Sequence, residues 1–392
     1  MRPIRILELR SVRGTGGGPE KTILLGTART DARQFEITVC YLRDRRDNVF
    51  SVDTRAAGLP VDYLELVESH SFDPSIFWRL RRLVRERKID IVHAHDYKTD
   101  LLTLLLSKFE PITPLSTVHG WTGHTPRELR FYYPFDKWIL SFFPKLIAVS
   151  SDIRDELVRH GANASRISTV LNGIDPDAFH RDRRREDDIR LRLGFDRSHY
   201  VIGSVGRLEP QKRFDLLIDA FAKLHDQQPR LRLVIAGDGS LAGALRDQVM
   251  RLGLTDSCAL LGHRTDIADL HHAFDLFVQS SDYEGTPNAV LEAMALETPI
   301  VATSAGGSAE IVRDGVDGLI VPPGDVPALT AAIREAISHG DATAARVRSA
   351  RSRVETDLSF ETRMRTVEAI YLDLMQRHPA QNGGTRFAAA RT

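Results

Sequence analysis

The stretch LFVQSSDYEGTPNAVLEAMALETPIVATSAG (residues 276–306) contains two short apolar runs on either side of a helical pattern. The runs LFVQSS and PIVATSAG have the length and composition of buried strands, and the segment between them predicts a helix from 287 to 296. A strand, a helix and a second strand in this order predict a βαβ unit with parallel strands. We therefore expect a protein of the α/β class.

The same alternation of apolar runs and helical patterns continues along nearly the whole chain, which favours parallel sheets throughout. Six candidate strands lie in the first half, at 4–9, 35–42, 89–95, 115–120, 145–150 and 167–173. Six more lie in the second half, at 200–207, 231–239, 258–263, 276–281, 299–306 and 318–325. Because 392 residues exceed one average domain, we predict two doubly wound, Rossmann-like domains.

The charged run HRDRRREDDIRLR (180–192) interrupts the alternation and marks the expected boundary between the domains. The predicted segments are a first domain at 1–178, a solvated linker with a short helix at 179–198, a second domain at 199–358, a last helix at 359–376 and a disordered tail at 377–392.

The composition excludes several function classes. Fifty-three basic residues balance 53 acidic ones, so the whole molecule lacks the basic footprint of a nucleic-acid-binding protein, and we expect no nucleic-acid partner. The two cysteines form no disulfide framework. Charged residues interrupt the first apolar run, so it does not resemble a signal peptide, and we expect a soluble, cytoplasmic protein.

Ligands of parallel α/β sheets bind outside the carboxyl ends of the strands, so glycines and charged residues that follow strands are candidates. Gly16, Gly17 and Gly18 follow the first strand and could let backbone N–H groups approach a phosphate. Pro19 occupies the last glycine position of a dinucleotide fingerprint, which excludes that motif. A tight turn with no ligand explains this loop equally well.

Two cations follow the first strand of the second domain. Arg207 and Lys212 lie five residues apart in GRLEPQKRFD, and together they could neutralise a diphosphate leaving group without a metal ion. The alternative is a pair of solvated surface cations. Their position at the end of a strand favours the ligand interpretation.

Glu284 and Glu292 bracket a Gly-Thr-Pro-Asn turn, with Thr286 as the expected N-cap and Pro287 as the first helical residue. Eight helical residues separate two backbones by about 12 Å, well beyond the roughly 5.5 Å of a retaining glycosidase pair, so the glutamates are not a catalytic couple. Free N–H groups between two carboxylates suit a ligand with hydroxyls at both ends and phosphates in the middle.

Metal binding has little support in the sequence. His93 and His95 alternate on one strand, and Asp175 and Asp177 form a D-x-D pattern, but no convergent set of ligands emerges. We expect neither a metal ion nor another cofactor.

The first domain also carries a basic helix (78–88) and an aromatic run, RFYYPFDKWILSFF (130–143). Together they could rest on anionic lipid and admit a lipid-linked acceptor, which would place the protein on the inner face of the membrane. The favoured alternative is that the aromatic side chains fill the core of the first domain.

These motifs resemble those of the group 1, family-4 retaining glycosyltransferases. The resemblance rests on blocks spread over residues 4–375 in the order of the family, namely VHG (118–120), VSSDI (149–153), NGID (172–175), GRLEPQKRFD (206–215), IAGDG (235–239), EGTPNAVLEAMA (284–295) and GGSAEIV (306–312). It implies the GT-B architecture, in which two Rossmann-like domains face each other across a cleft and the last helix crosses back to the first domain.

The resemblance also implies roles for individual residues. Arg207 and Lys212 match the pair that holds the donor diphosphate, and Glu292 matches the glutamate on the ribose. Glu284, with the backbone of Gly285, Thr286, Pro287 and Asn288, matches the segment that holds the donor sugar and phosphate. His119 matches a histidine at the reaction centre. Gly16 to Gly18 match the glycine loop near the phosphates and the acceptor, but the resemblance assigns no role to Glu20 and Lys21. Gly262, His263 and Arg264 match the segment that contacts the nucleotide base.

The implied activity is transfer of a sugar from a UDP- or GDP-type nucleotide sugar, with retention of configuration, to a saccharide or lipid-linked acceptor in bacterial polysaccharide or glycolipid synthesis. Two alternatives remain open. An epimerase or hydrolase of the same fold would make product from the donor alone, and a non-catalytic sensor would bind the donor without turnover.

Overall fold

A computed structural model describes residues 2–12, 14, 16–47, 50–70, 73–121 and 127–377. Their close contacts divide the chain into two units. Unit 1 comprises the described residues of Met1–Val149, Ile153–Val170 and Arg363–Thr392. Unit 2 comprises Ser150–Asp152 and Leu171–Thr362. The predicted tail from 378 onward lies outside the described residues.

Unit 1 is built on a parallel sheet of seven strands among its described residues, in the order β3-β2-β1-β4-β5-β6-β7. The strands are β1 (Ile4–Val12), β2 (Phe35–Asp44), β3 (Asp62–Glu68), β4 (Ile91–Ala94), β5 (Thr113–Val118), β6 (Lys145–Ala148) and β7 (Ile167–Thr169). The helices are α1 (Gly18–Thr27), α2 (Val52–Ala57), α3 (Ser75–Glu86), α4 (Tyr97–Phe109), α5 (Tyr133–Leu140) and α6 (Ser151–Arg159).

Unit 2 contains a parallel sheet of six strands, in the order β10-β9-β8-β11-β12-β13. The strands are β8 (Tyr200–Val205), β9 (Leu231–Ala236), β10 (Cys258–Leu260), β11 (Leu276–Gln279), β12 (Ile300–Thr303) and β13 (Leu319–Val321). The helices are α7 (Glu186–Arg192), α8 (Phe214–His225), α9 (Ala242–Arg251), α10 (Ile267–Ala273), α11 (Asn288–Ala295), α12 (Ser308–Ile311), α13 (Val326–Ser338) and α14 (Gly340–Thr356).

Apolar residues line both faces of each sheet, because successive side chains of a strand point to opposite sides. In unit 2, Ile202 packs with α8, α9 and α13, while its neighbour Val201 packs with α10, α11 and α14. In unit 1 the last helix, α15 (Phe360–Arg377), buries a stripe against β1 and β4 that includes Met364, Val367 and Tyr371. The α/β prediction is confirmed for both units.

One strand was not predicted from the sequence. β3 has the sequence DYLELVE, in which an acidic residue occurs at every third position. It forms the edge of the unit 1 sheet and is only partly buried, so it lacks the continuous apolar run of a central strand.

The charged run at 180–192 contains the predicted short helix, α7, and is largely exposed, but two parts of it are anchored to unit 2. Ile189 of α7 lies in the core of unit 2, and the guanidinium of buried Arg190 donates to Asp275 Oδ1 at 2.5 Å. Arg181 donates to the carbonyl oxygens of His271 and His272 at 2.7 and 2.9 Å. Buried arginines therefore tie this segment to unit 2, which begins at Leu171 rather than near 178.

The prediction that the aromatic run fills the core is wrong for four of its side chains. Phe131, Phe135, Trp138 and Phe142 are about half exposed or more, at 59%, 49%, 56% and 52%. Their spacing of three or four residues lines them up along one side of α5 and its flanking turns, where Trp138 contacts both Phe135 and Phe142. Unit 1 therefore exposes an apolar stripe. Among the described residues, no helix is long and apolar enough to cross a membrane.

Two buried carboxyl groups lie side by side under this stripe. Asp136 of α5 accepts a hydrogen bond from the Trp121 indole at 2.9 Å, and Asp100 of α4 lies close enough to interact with it electrostatically. Burial raises the pKa of Asp136 to about 7, and burial together with Asp136 raises the pKa of Asp100 further. Burial therefore favours the protonated form of both carboxyl groups.

This arrangement predicts how the stability of unit 1 depends on pH. Folded Asp136 keeps its proton where the unfolded chain releases it, so its contribution is full below pH about 4 and is lost as the pH rises through 7. The change Asp136→Asn supplies a permanent donor, and we expect its stability relative to wild type to rise by about 1 kcal/mol per pH unit over this window.

Urea unfolding at pH 5, 6 and 8 measures this difference, with tryptophan fluorescence as the probe. The three tryptophans, Trp78, Trp121 and Trp138, all lie in unit 1, so the signal reports that unit alone. A stability difference that does not change with pH would contradict the raised pKa of Asp136.

Candidate active site

The strand order of unit 2 predicts that a ligand binds next to β8 and β11. The order reverses between β8 and β11, which lie next to each other although two strands and three α-helices separate them in the chain. In open parallel sheets, ligands bind outside the carboxyl ends of the strands at such a switch point. The segments that leave these two strands, 206–212 and 280–287, are therefore the candidate site.

The structure brings Lys212 and Glu284 together at this point. Lys212 ends a short 3-10 turn after β8, and its Nζ lies 2.5 Å from Glu284 Oε1. The Ser281 hydroxyl donates to the same carboxylate oxygen at 2.6 Å, and the Ser280 hydroxyl donates to the Lys212 carbonyl at 2.8 Å. The Lys212 and Glu284 side chains are only 17% and 9% exposed, so the cation and the carboxylate are held in fixed positions.

Two glycines fix the backbone beside Glu284. Gly306 has φ +52°, and a Cβ there would lie 1.8 Å from the Glu284 carbonyl oxygen. The Gly307 amide donates to the Gly285 carbonyl at 2.8 Å. On the other side, the amide group of buried Asn172 donates to the Thr286 carbonyl oxygen at 3.3 Å and to Asn288 Oδ1 at 3.2 Å. The 284–288 segment is therefore held from both sides within unit 2.

The helix after this segment begins one residue later than predicted. Pro287 is the N-cap, with φ −76° and ψ 107°, and α11 begins at Asn288. Thr286 therefore precedes the N-cap, and its hydroxyl accepts from the backbone N–H of Asn172 at 3.2 Å. Glu292 lies in the second turn of α11 and is partly exposed, as predicted from its spacing.

The other predicted donor residues of unit 2 also follow strands. Arg207 is exposed directly after β8, one residue beyond Gly206. Gly262, His263 and Arg264 follow β10, and the Gly262 carbonyl accepts from the Gly237 amide at 2.9 Å. The Arg264 guanidinium pairs with Asp266 at 2.5 Å.

The glycine loop of unit 1 is already engaged by its own chain. The Gly17 amide donates to Glu20 Oε2 at 2.5 Å, in a capping arrangement at the start of α1. Glu20 is buried, and its Oε1 accepts from Arg10 at 2.5 Å, while Arg10 also donates to the His95 carbonyl at 2.6 Å. In this structure Glu20 therefore occupies the Gly17 amide, and phosphate binding by the loop stays a prediction. The contacts of Arg10 could not be predicted from the sequence, because this residue lies inside a strand and not in the loop that follows it.

His119 follows β5 and lies in a row of histidines. Its Nε2 is 3.0 Å from His95 Nδ1, and His95 Nε2 contacts Glu8 Oε2. Burial, with His95 and Arg10 nearby, holds the pKa of His119 well below its usual range, and burial lowers the pKa of His95 to about 4. Both rings are therefore neutral at pH 7.

Glu8, His93 and His95 place one possible ligand atom each within 4.8 Å of one another. These atoms already take part in hydrogen bonds, since Glu8 Oε1 lies 3.1 Å from His93 Nδ1 and accepts from the Tyr371 hydroxyl at 2.7 Å. The D-x-D pattern at 175–177 is a turn, in which Asp175 Oδ1 accepts from the Asp177 amide at 3.0 Å.

Comparison with known proteins adds independent evidence. Residues 185–353 match the family model described as "Glycosyl transferases group 1", and residues 16–178 match the one described as "Glycosyltransferase Family 4". The chain is 30% identical over 308 residues to a glycogen synthase of Mycobacterium tuberculosis, covering 75% of this chain and 72% of that protein.

A second relative is the UDP-Gal:alpha-D-GlcNAc-diphosphoundecaprenol alpha-1,3-galactosyltransferase of Escherichia coli, which is 26% identical over 305 residues, or 76% of this chain and 78% of that protein. Among solved structures, HepE of Anabaena in complex with UDP-glucose has a TM-score of 0.82 and 23% identity, and covers 94% of this chain and 100% of its own. That likeness concerns the fold.

The two matched family models together span most of both units, and the motifs that suggested the family lie inside them. The GT-B fold predicted from those motifs is confirmed by the solved structures. The chain belongs to the group 1, family-4 glycosyltransferases.

Proposed function

We propose that this glycosyltransferase moves a sugar from a UDP- or GDP-type donor to a saccharide or lipid-linked acceptor, with retention of configuration and without a metal ion. The observation that carries the proposal is the buried contact between Lys212 and Glu284 at the switch point of unit 2. It combines a cation for a diphosphate with a carboxylate for sugar hydroxyls in one fixed group. The UDP-sugar named for the Escherichia coli relative supports the donor class.

The proposed reaction breaks the bond between the anomeric carbon and the diphosphate oxygen, and the electron pair stays with the diphosphate. The acceptor hydroxyl oxygen forms the new bond on the same face of the sugar, and its proton passes to the departing phosphate oxygen. Lys212 and Arg207 stabilise the charge that develops on the diphosphate, so most of the catalysis is electrostatic.

The remaining donor contacts follow from the positions in unit 2. We assign Glu292 to the ribose hydroxyls, the Gly262 to Arg264 segment to the base, and the 285–288 backbone to the distal phosphate. The N-terminus of α11 favours negative charge, because its first amides have no partners within the helix.

An anionic membrane surface is the proposed docking partner of unit 1. The apolar stripe on α5 would enter the interface, and the exposed Arg127 and Arg130 at its start would contact anionic headgroups. This supports a lipid-linked acceptor in surface polysaccharide or glycolipid synthesis. The diphosphoundecaprenol acceptor named for the Escherichia coli relative is of that class.

We predict opposite effects for the two partners at the switch point. Lys212→Gln removes the cation, so it should weaken binding of UDP or GDP, whichever binds wild type, by about 10- to 100-fold. Glu284→Gln releases Lys212 from its ion pair, so the same nucleotide should bind at least as tightly, while transfer falls at least tenfold because the sugar loses a charged acceptor.

Calorimetric titrations in EDTA and again with magnesium measure both effects, with Lys223→Gln, a change of an exposed lysine on α8, as the matched control. Wild-type affinity in Lys212→Gln would contradict the diphosphate role, and binding that needs magnesium would contradict metal independence. Sugar released from the donor without acceptor would identify an epimerase or hydrolase, and an inverted anomer in the product would exclude retention.

The membrane proposal predicts that the wild-type protein sediments with phosphatidylglycerol vesicles at low salt and is released at high salt. The double change Phe135→Ser and Trp138→Ser should reduce the bound fraction at least tenfold, because it removes two apolar side chains from the stripe. Leu191→Ser is the control, since Leu191 is equally apolar and 75% exposed but lies in unit 2. Equal sedimentation with neutral vesicles would refute the proposal.

A further inference from the structure

A buried carboxylate lies behind His119 in unit 1, and the proposed reaction does not yet use it. Glu8 of β1 is 6% exposed and contacts His93 in the neighbouring strand β4 and His95 just after it. One ring nitrogen of His95 contacts the Glu8 carboxylate, and the other ring nitrogen contacts His119. The order of contacts is therefore Glu8 Oε2, His95 Nε2, His95 Nδ1 and His119 Nε2.

The direction of each hydrogen bond follows from the carboxylate. An ionised carboxylate only accepts, so His95 Nε2 must carry a proton and donate to Glu8. A neutral His95 then has no proton on Nδ1, which must accept. The donor across that 3.0 Å contact is His119 Nε2. A neutral His119 has only this one proton, so its Nδ1 keeps an unprotonated lone pair.

The surroundings favour neutral rings and an ionised Glu8. Burial would raise the pKa of Glu8, but its interactions with His93 and His95 bring that pKa well below the usual range. The buried cations Arg10 and Arg363 oppose a further positive charge on His119.

We propose that Glu8 is a positioning residue, which acts through His95 to hold His119 in the tautomer that presents an unprotonated Nδ1 to a substrate hydroxyl. The inference rests on the proposed function in one respect, which is that the hydroxyl belongs to a sugar substrate. An unprotonated nitrogen accepts from a hydroxyl and is repelled by a phosphate oxygen. His119 therefore selects a hydroxyl group at this position and gives no support to the leaving diphosphate.

The tautomer can be observed directly in the wild-type full-length protein. Two-bond proton–nitrogen NMR correlations of ¹⁵N-histidine-labelled protein, in EDTA at pH 7, distinguish protonated from bare ring nitrogens. The change His119→Gln identifies the His119 signals among the 14 histidines. We expect protonated Nε2 and bare Nδ1 for both His95 and His119. A His119 proton on Nδ1, or an imidazolium at either residue, would overturn the proposal.

Two variants at one position test the role of Glu8. Glu8→Met removes the carboxylate acceptor and keeps a side chain of similar length. The proton of His95 should then move from Nε2 to Nδ1. Because His95 Nδ1 would now donate to His119 Nε2, the proton of His119 should also move to Nδ1. We expect kcat to fall at least tenfold, with the donor KM changed less than threefold. Glu8→Gln keeps a carbonyl acceptor and should restore both the wild-type tautomer and most of kcat.

An unchanged His119 tautomer in Glu8→Met would refute the proposal that Glu8 acts on His119 through His95. If Glu8→Met does not fold, the wild-type spectrum still decides the question. A chain that transfers no sugar but shows the expected tautomers would refute the proposed function and leave this inference standing.

Discussion

The adjacency of β8 and β11 is the constraint on which the site of unit 2 depends. Parallel strands send all their carboxyl ends to one edge of the sheet, and the switch in strand order opens a crevice between these two. The chain that leaves β8 must turn within a few residues, and it brings Lys212 against the Glu284 carboxylate that follows β11. Glycines at 306 and 307 then fix the Glu284 loop by close backbone contact.

A charge that is held by neighbouring groups needs little rearrangement when a charged ligand binds, and this is the main source of electrostatic catalysis. The Lys212 and Glu284 pair has that property, because serine hydroxyls hold both its partners. The Glu8, His95 and His119 row in unit 1 follows the same principle with one ionised carboxylate and two neutral rings. There, a single buried carboxylate determines the direction of two successive hydrogen bonds.

The sequence was sufficient to predict the fold class and most of the strands, because central parallel strands are apolar on both faces. It did not reveal β3, whose edge position allows acidic residues, or the role of Arg181 and Arg190, since buried arginines look the same in sequence as exposed ones. Spacing predicted Glu292 in the second turn of its helix. Glu8 and Arg10 could not be found, because their shared partner His95 lies about 85 residues away, just after another strand.

The exposed stripe on α5 shows a similar limit. Helical spacing of Phe131, Phe135, Trp138 and Phe142 predicts one apolar face, but it does not say whether that face points to the core or to solvent. The choice depends on Tyr133, Ile139 and Leu140, which occupy the inward side of the same helix. Both sides of α5 are therefore apolar, and only the three-dimensional structure distinguishes them.

The central claim is that the switch point of unit 2 holds the donor diphosphate. Hydrogen–deuterium exchange of the full chain, with and without saturating UDP or GDP in EDTA, tests it most directly. The account predicts slower exchange in peptides that cover 206–212 and 284–292, with the peptide over α9 (242–251) unchanged. Protection that is absent from both site peptides while the nucleotide is bound would contradict the account.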